Sequence, residues 1–234
     1  MWSSVPLFVP PALLVCVFLP FRQRYRLLSQ WGRFHTWLVK RLCGLGYRVH
    51  GREHLPQHGA AIILAKHQST WETIAFQEVF APPQTWVLKR ELMWVPLFGW
   101  GLAMLRPIAI DRGAGRKAVE QIVEQGRKRL DEGIWVVIFP EGTRVAPGHK
   151  RRYGVGGAVL AAATGYPIVP VAHNAGSFWP RRGFLKKPGT IEVVIGPPIH
   201  GKGKTPEEIN RQVEEWIEQQ MVRLEPHYHT AARG

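Results

Sequence analysis

From Tyr47 onward the chain alternates short apolar runs with helix-patterned stretches, and that alternation constrains the fold more than any other feature. Predicted strands cover residues 47–53, 60–65, 85–88, 108–111, 134–139, 168–172 and 190–195. Predicted helices cover residues 70–79, 116–130 and 155–163, with a last one opening at Thr205 and running to about Leu224. Thr205, Pro206, Glu207 and Glu208 supply an N-cap, a proline at the first helical position and an acidic first turn. Strands of four to seven residues separated by helices predict an α/β domain, a central mostly parallel sheet covered by helices. The tail from Pro226 reads as frayed. Pro170 inside residues 168–171 suits an edge or a bulge better than a central strand.

Before Tyr47 the pattern changes. Residues 5–21 are apolar throughout and then meet Arg22, Arg24 and Arg26. No Lys or Arg precedes the run and no small-residue cleavage site follows, so a cleaved signal peptide is not expected. Seventeen residues are short for a spanning helix, and Pro6, Pro10 and Pro11 shorten the regular part, which leaves open whether the segment crosses the bilayer or enters one leaflet. Residues 27–45 carry Leu28, Trp31, Phe34, Leu38, Leu42 and Leu45 along one helical stripe with Arg33, Lys40 and Arg41 between them. A basic amphipathic helix after an apolar one predicts an N-terminal two-helix membrane-anchoring motif over residues 1–46, and an α/β domain over residues 47–234. An ordinary surface helix packed on the domain fits residues 27–45 as well. The arginines place whatever follows a spanning segment in the cytoplasm.

Charge points the same way. Lys plus Arg number 31 against 17 Asp plus Glu, a formal +14 that calls for an anionic partner: nucleic acid, an anionic lipid surface or phosphorylated substrates. Ten Trp and ten Phe beside five Tyr favour the membrane interface. Cys16 and Cys43 belong to no metal pattern and form no evident disulfide framework, as in a reducing compartment. Residues 92–105, apolar and broken by Pro96, are too few to span a bilayer; they fit plain core, an interfacial dip, or the wall of an acyl-chain tunnel.

Two stretches carry candidate chemistry. His67 lies between a predicted strand and a predicted helix, five residues before Glu72. Along a straight helix that spacing puts side chains roughly 140° apart, so the two meet only if His67 precedes the helix. Meeting, they form a general base and the carboxylate that fixes its tautomer. Ser69-x-x-Glu72 fits a helix capping box equally well. The second stretch, Phe139-Pro140-Glu141-Gly142-Thr143-Arg144, follows a strand: Gly142 can aim backbone N–H groups at an anion and Arg144 can grip a phosphate, although a charged β-turn explains it too. Asp111 and Arg112 end another strand and can simply pair with each other.

In order, His67-x4-Glu72, Ile110-Asp111-Arg112, Phe139-Pro140-Glu141-Gly142-Thr143-Arg144 and Ile168-Val169-Pro170-Val171 resemble the four blocks of the glycerolipid acyltransferases, in particular the bacterial 1-acyl-sn-glycerol-3-phosphate acyltransferases. Lys89-Arg90-Glu91-Leu92 with Pro96 and Gly99-Trp100, and Lys187-Pro188-Gly189 leading to Ile195-Gly196-Pro197-Pro198-Ile199, are similar to theirs as well. The resemblance spans about residues 49–199. It departs at two positions: the family's usual Asn before the histidine is Lys66, and its usual Asp is Glu72, which keeps the charge on a longer arm.

The resemblance implies transfer of a fatty acyl group from a thioester to the sn-2 hydroxyl of 1-acyl-sn-glycerol-3-phosphate, giving phosphatidic acid. His67 and Glu72 would be catalytic. Arg112, Thr143 and Arg144 would hold the acceptor's phosphate, with Glu141 and Gly142 shaping that pocket. Backbone N–H groups are the expected oxyanion donors. No metal and no cofactor are expected; coenzyme A or acyl carrier protein brings the acyl group as co-substrate. The partners are then membrane lipids, lysophosphatidic acid and acyl-CoA, at the inner membrane with the site facing the cytoplasm. Three alternatives stand beside this reading: an acyltransferase for another lyso-lipid such as lyso-ornithine lipid, a non-catalytic membrane adaptor, and a nucleic-acid-binding protein using Phe178-Trp179-Pro180-Arg181-Arg182 and Lys186-Lys187.

Overall fold

The computed structural model describes residues 4–230. Its chain runs α1 (Val5–Cys16), α2 (Phe21–Cys43), β1 (Leu45–His50), β2 (Ile62–Ala65), α3 (Trp71–Val79), β3 (Gln84–Lys89), α4 (Phe98–Ala103), β4 (Ile108–Ile110), α5 (Arg116–Asp131), β5 (Trp135–Ile138), α6 (Gly156–Thr164), β6 (Ile168–His173), α7 (Ala175–Phe178), β7 (Gly189–Ile195), α8 (Pro206–Leu224) and α9 (Pro226–Thr230). The seven strands form one sheet in the order β1-β7-β6-β2-β5-β3-β4. Every neighbouring pair is parallel except β6 and β7.

That topology positions the site. β2 and β5 are buried along their whole length, as expected of parallel strands covered on both faces. The chain leaves β2 for β3 and β4, returns to insert β5 between β2 and β3, then crosses to β6 on the other side of β2. The carboxyl ends of β2, β4, β5 and β6 therefore share one edge, where side chains of an open α/β sheet meet ligands. α6 lies close on the sheet because it is built of small residues: a Cβ on Gly157 would come within 2.5 Å of Leu64.

Several expectations change. The first strand starts earlier and stops at His50, and residues 52–54 form a 3-10 turn. Pro170 sits in a central strand, not at an edge. It is tolerated because the ladder bulges opposite it. Between the Ile168–Ile199 bridge and the Val171–Ile195 pair, β6 contributes two residues and its partner three, and the Pro170 carbonyl accepts from Gly196 N–H at 2.9 Å. Of the tail expected to fray from Pro226, Pro226–Thr230 form the short helix α9, and residues 231–234 lie outside the described residues.

The N-terminal apolar helix is twelve residues long, and among the described residues no helix is long and apolar enough to cross a membrane. α1 and α2 pack on the domain. Ser4 Oγ accepts from Trp31 Nε1 and donates to His35 Nε2, joining the helices, while Thr36 Oγ1 of α2 donates to Glu78 of α3 at 2.8 Å. A Cβ on Gly32 would stand 3.0 Å from the Ile74 carbonyl, so α2 lies directly on α3. Val5, Val9, Ala12 and Cys16 form the buried stripe of α1, whereas Leu7, Leu14, Val17 and Phe18 are exposed.

Candidate active site

His67 follows β2 and α3 begins only at Trp71, so the histidine precedes the helix and can turn back onto it. Its Nδ1 lies 2.8 Å from Glu72 Oε1. A carboxylate only accepts, so Nδ1 carries the proton and Nε2 is left with its lone pair. The ring stacks on Phe139, centroids 4.0 Å apart and planes 13° off parallel, and both line one cavity. The Ser69–Glu72 capping box closes on one side only: the N-cap is Thr70 and Ser69 Oγ accepts the Trp71 N–H at 3.1 Å, not that of Glu72. The Glu72 Oε1 that holds the imidazole also accepts the N–H groups of Gln68 (2.9 Å) and Ser69 (2.8 Å), so it caps the helix start. Glu72 Oε2 is buried without a hydrogen-bond partner. Burial alone would push the Glu72 carboxyl up. The neighbouring His173 and His67 rings and the Ser69 N–H outweigh it and hold the group below the usual carboxylate range.

Behind this turn lies a buried charge network. Lys66 Nζ meets Glu141 Oε1 at 2.8 Å and Glu218 Oε1 at 2.9 Å, and the Tyr153 hydroxyl donates to the same Glu218 oxygen at 2.9 Å. Glu141 Oε2 accepts the His67 N–H at 2.9 Å. Burial pushes the Glu141 carboxyl up, against the pull of Lys66. Glu225 accepts from Gln68 Nε2 (3.2 Å) and from Ser177 Oγ (2.6 Å). His173, fully buried, donates from Nε2 to the Lys66 carbonyl at 2.8 Å and accepts the Ala175 N–H at Nδ1. Burial lowers its imidazole from the ordinary 6.5, against the attraction of Glu72.

Two arginines stand at the front. Arg112 does not pair with Asp111, which instead meets Arg90 (3.3 Å) and the Gly113 N–H; Arg112 Nη1 donates to the Gly142 carbonyl. The Gly142 N–H is spent on Phe139 O at 2.9 Å, so it is not aimed at an anion; its carbonyl positions Arg112. The positive φ of 67° at Gly142 makes this turn a glycine position. Glu141, beneath the turn, faces Lys66 and offers no surface to a ligand. Neither Arg112 nor Arg144 makes a carboxylate ion pair among the described residues, and Arg144 Nε is buried without a partner. Partial burial pulls both guanidinium pKa values down, opposed by Glu91 for Arg112 and by Glu72 for Arg144. Thr143 lies half-buried between Gly142 and Arg144.

His67, Arg112, Phe139 and Arg144 line a cavity of 330 Å3 whose remaining wall is largely apolar: Phe8 and Val9 of α1, Ile74 of α3, Trp86 of β3, and Phe98 and Leu105 from residues 92–105. From that apolar run Leu92, Phe98, Gly101, Leu102 and Leu105 line the cavity.

A family model described as Acyltransferase matches residues 46–174. The 1-acyl-sn-glycerol-3-phosphate acyltransferase of Pseudomonas aeruginosa is 46% identical over 229 residues, covering 96% of this chain and 86% of its own length. The chain belongs to the 1-acyl-sn-glycerol-3-phosphate acyltransferase family of glycerolipid acyltransferases. The human 1-acyl-sn-glycerol-3-phosphate acyltransferase alpha is 28% identical over 73% of this chain, which spans 61% of the human protein. The crystal structure of the acyltransferase PlsC from Thermotoga maritima has the same fold: TM-score 0.76, 20% identity, 95% of this chain and 92% of that one covered.

Against the family pattern, the two departures have separate physical settings. Glu72 reaches Nδ1 of His67 although its arm is longer, because it bends back over the helix start onto Gln68 and Ser69 N–H. Lys66 brings a full charge into the core, and Glu141 and Glu218 neutralise it there. Sequence reasoning missed Glu218, Glu225, His173 and Tyr153. The one available signal was Lys66 itself, a charge directly after a fully apolar strand.

Proposed function

We propose that the protein transfers a fatty acyl group from an acyl thioester to the sn-2 hydroxyl of 1-acyl-sn-glycerol-3-phosphate, forming phosphatidic acid. The observation that carries this reading is the His67 Nδ1–Glu72 Oε1 hydrogen bond beside a cavity shared with two arginines free of carboxylate partners. His67 Nε2 takes the acceptor's hydroxyl proton as that oxygen attacks the thioester carbonyl. The tetrahedral intermediate then collapses with cleavage of the C–S bond, and the proton on Nε2 leaves with the thiolate. Glu72 fixes the tautomer and stabilises the imidazolium.

Arg112, Thr143 and Arg144 hold the acceptor's phosphate; both guanidinium groups line the cavity that His67 faces, and neither meets a carboxylate among the described residues. The apolar cavity takes the acyl chain, within the size range of small-molecule sites. The exposed apolar residues of α1 and α2 seat the protein on the cytoplasmic membrane, with coenzyme A or acyl carrier protein delivering the donor from the cytoplasmic side. The test is purified protein with acyl-CoA and a panel including lysophosphatidic acid and lyso-ornithine lipid, following free thiol. Release dependent on lysophosphatidic acid supports the reading; release with another acceptor alone, or none with any acyl thioester, overturns it.

A further inference from the structure

The basic, aromatic stretch after α7 is used by neither the dyad nor the cavity. Residues 180–188 carry Arg181, Arg182, Lys186 and Lys187 around Gly183-Phe184-Leu185, with no acid between Asn174 and Ile191. Phe184 is 89% exposed and Leu185 79%. The segment is nevertheless anchored. Arg181 Nη1 donates to the Arg144 carbonyl (3.3 Å), Gly183 N–H to Pro180 O (2.9 Å) and Lys187 N–H to Phe178 O (2.9 Å). Lys186 folds back: its ammonium lies 4.6 Å from the Trp179 ring centre and donates to Phe184 O at 2.6 Å. Two neighbouring apolar side chains are thus held out into solvent by a fixed backbone, which costs hydrophobic free energy unless something covers them.

The loop's far end indicates what covers it. Gly189 N–H donates to the carbonyl of Gly44, the residue that caps α2. The last turns of α2 present the same mixture, Trp37 and Leu42 exposed beside Lys40 and Arg41, and no acid precedes Glu53 anywhere in the chain. Basic side chains ringing exposed aliphatic and aromatic ones match the boundary layer of an anionic bilayer, where cations meet phosphates and apolar side chains sink below them. Stacking on nucleic-acid bases would employ Phe184 but leave Leu185 without a partner.

We propose that residues 180–188 are a second membrane-inserting contact, in which Phe184 and Leu185 enter the interfacial layer while Arg182 and Lys187 meet anionic lipid phosphates. Through Arg181 the contact is tied to Arg144, so the bilayer surface is held against the rim where the acceptor's phosphate binds. The proposal rests on the reading of the protein as a membrane-surface acyltransferase only for that last consequence.

The test uses the full chain and vesicles of phosphatidylcholine with and without phosphatidylglycerol. Phe184→Ser/Leu185→Ser should lower partitioning onto anionic vesicles about tenfold, and Arg182→Gln/Lys187→Gln should remove about fivefold per charge of the preference for anionic over neutral vesicles. Turnover on micellar substrate should stay within about twofold of the parent, since neither pair lines the cavity. An environment-sensitive dye at Leu185→Cys, in a Cys43→Ser background, should shift to the blue on adding anionic vesicles. Unchanged partitioning with an unshifted dye overturns the proposal. So does a dye that responds to single-stranded DNA and not to vesicles, or a loss of micellar turnover with partitioning intact. If no variant and no parent turns over any thioester while partitioning still falls, the membrane contact stands and the acyltransferase reading fails.

Discussion

The two sides of the His67 turn are built on opposite principles. Behind it, Lys66, Glu141 and Glu218 are paired within 3 Å, with Lys66 and Glu141 side chains 1% and 0% exposed. In front, Arg112 and Arg144 keep their charges without a carboxylate partner, one exposed and one half-buried. A buried ion cluster carries a desolvation cost that its contacts offset, and it fixes geometry; removing one partner strands the others in a low-dielectric interior. Unmatched charges at an opening leave donors available for an anion. On the proposed function the rear sets where the histidine sits and the front sets what it meets, so mutations on the two sides should fail in different assays.

The rear should show the larger effect on folding. Lys66→Met leaves the buried Glu141 carboxylate without a countercharge, its one remaining partner being the His67 N–H, and should cost about 3–5 kcal/mol of stability. Lys66→Asn, the residue usual in the family, should also destabilise, and adding Glu218→Gln should recover part of the loss by removing one stranded charge. Urea midpoints check this; a Lys66→Met protein as stable as the parent would erase the distinction between the two sides.

At the front, Arg144→Ala should raise the acceptor KM by the equivalent of about 1.5–3 kcal/mol, the worth of a charge-assisted hydrogen bond, with Tm nearly unchanged. Steady-state kinetics against lysophosphatidic acid decide it. A large fall in Tm with KM untouched would make Arg144 a rear-type residue.

A smaller effect sharpens the same contrast through pH. His173 is buried neutral, its pKa pushed below 6.5. As pH falls below 6.5 the unfolded chain binds a proton that the folded chain resists, so stability is lost in that direction, at up to about 1.4 kcal/mol per pH unit. Glu72, held below its usual range, adds loss in the same direction once pH falls beneath 4.5. Urea midpoints at pH 7.5 and pH 5.5 should differ less in His173→Gln than in the parent. Equal differences would mean that other groups carry the slope.

Much of the fold was legible because it is local. Strand β2 reads from an unbroken apolar run, and α8 from Thr205, Pro206 and Glu208, whose capping box forms. Pro170 misled because the bulge that tolerates it comes from residues 196–198, a partner no local pattern reveals. The His67–Glu72 meeting was legible as a condition, that the helix start after residue 67, and α3 meets it. The rear was not. Glu218 and Glu225 lie about 150 residues from Lys66 and Gln68 along the chain, on α8 and at its C-cap, a helix whose sequence reads as ordinary amphipathic surface. The Gly142 N–H was misassigned for a related reason: the turn closes on Phe139, and turn hydrogen bonding depends on a φ that sequence only permits.

The central claim is that Glu72 acts on His67 and does not merely start a helix. Glu72→Gln keeps the carbonyl oxygen that accepts Gln68 and Ser69 N–H, so the helix cap survives, but it removes the charge that orients the imidazole and stabilises its cation. The measurement is kcat for thiol release with lysophosphatidic acid and acyl-CoA, in protein whose Tm matches the parent. The account predicts a loss of roughly 10²–10⁴ in kcat, with Glu72→Asp retaining more activity than Gln and the Glu72→Gln/His67→Ala double mutant little worse than His67→Ala. A Glu72→Gln enzyme within a few-fold of the parent would contradict it, leaving Glu72 as a cap and His67 without the partner this geometry gives it.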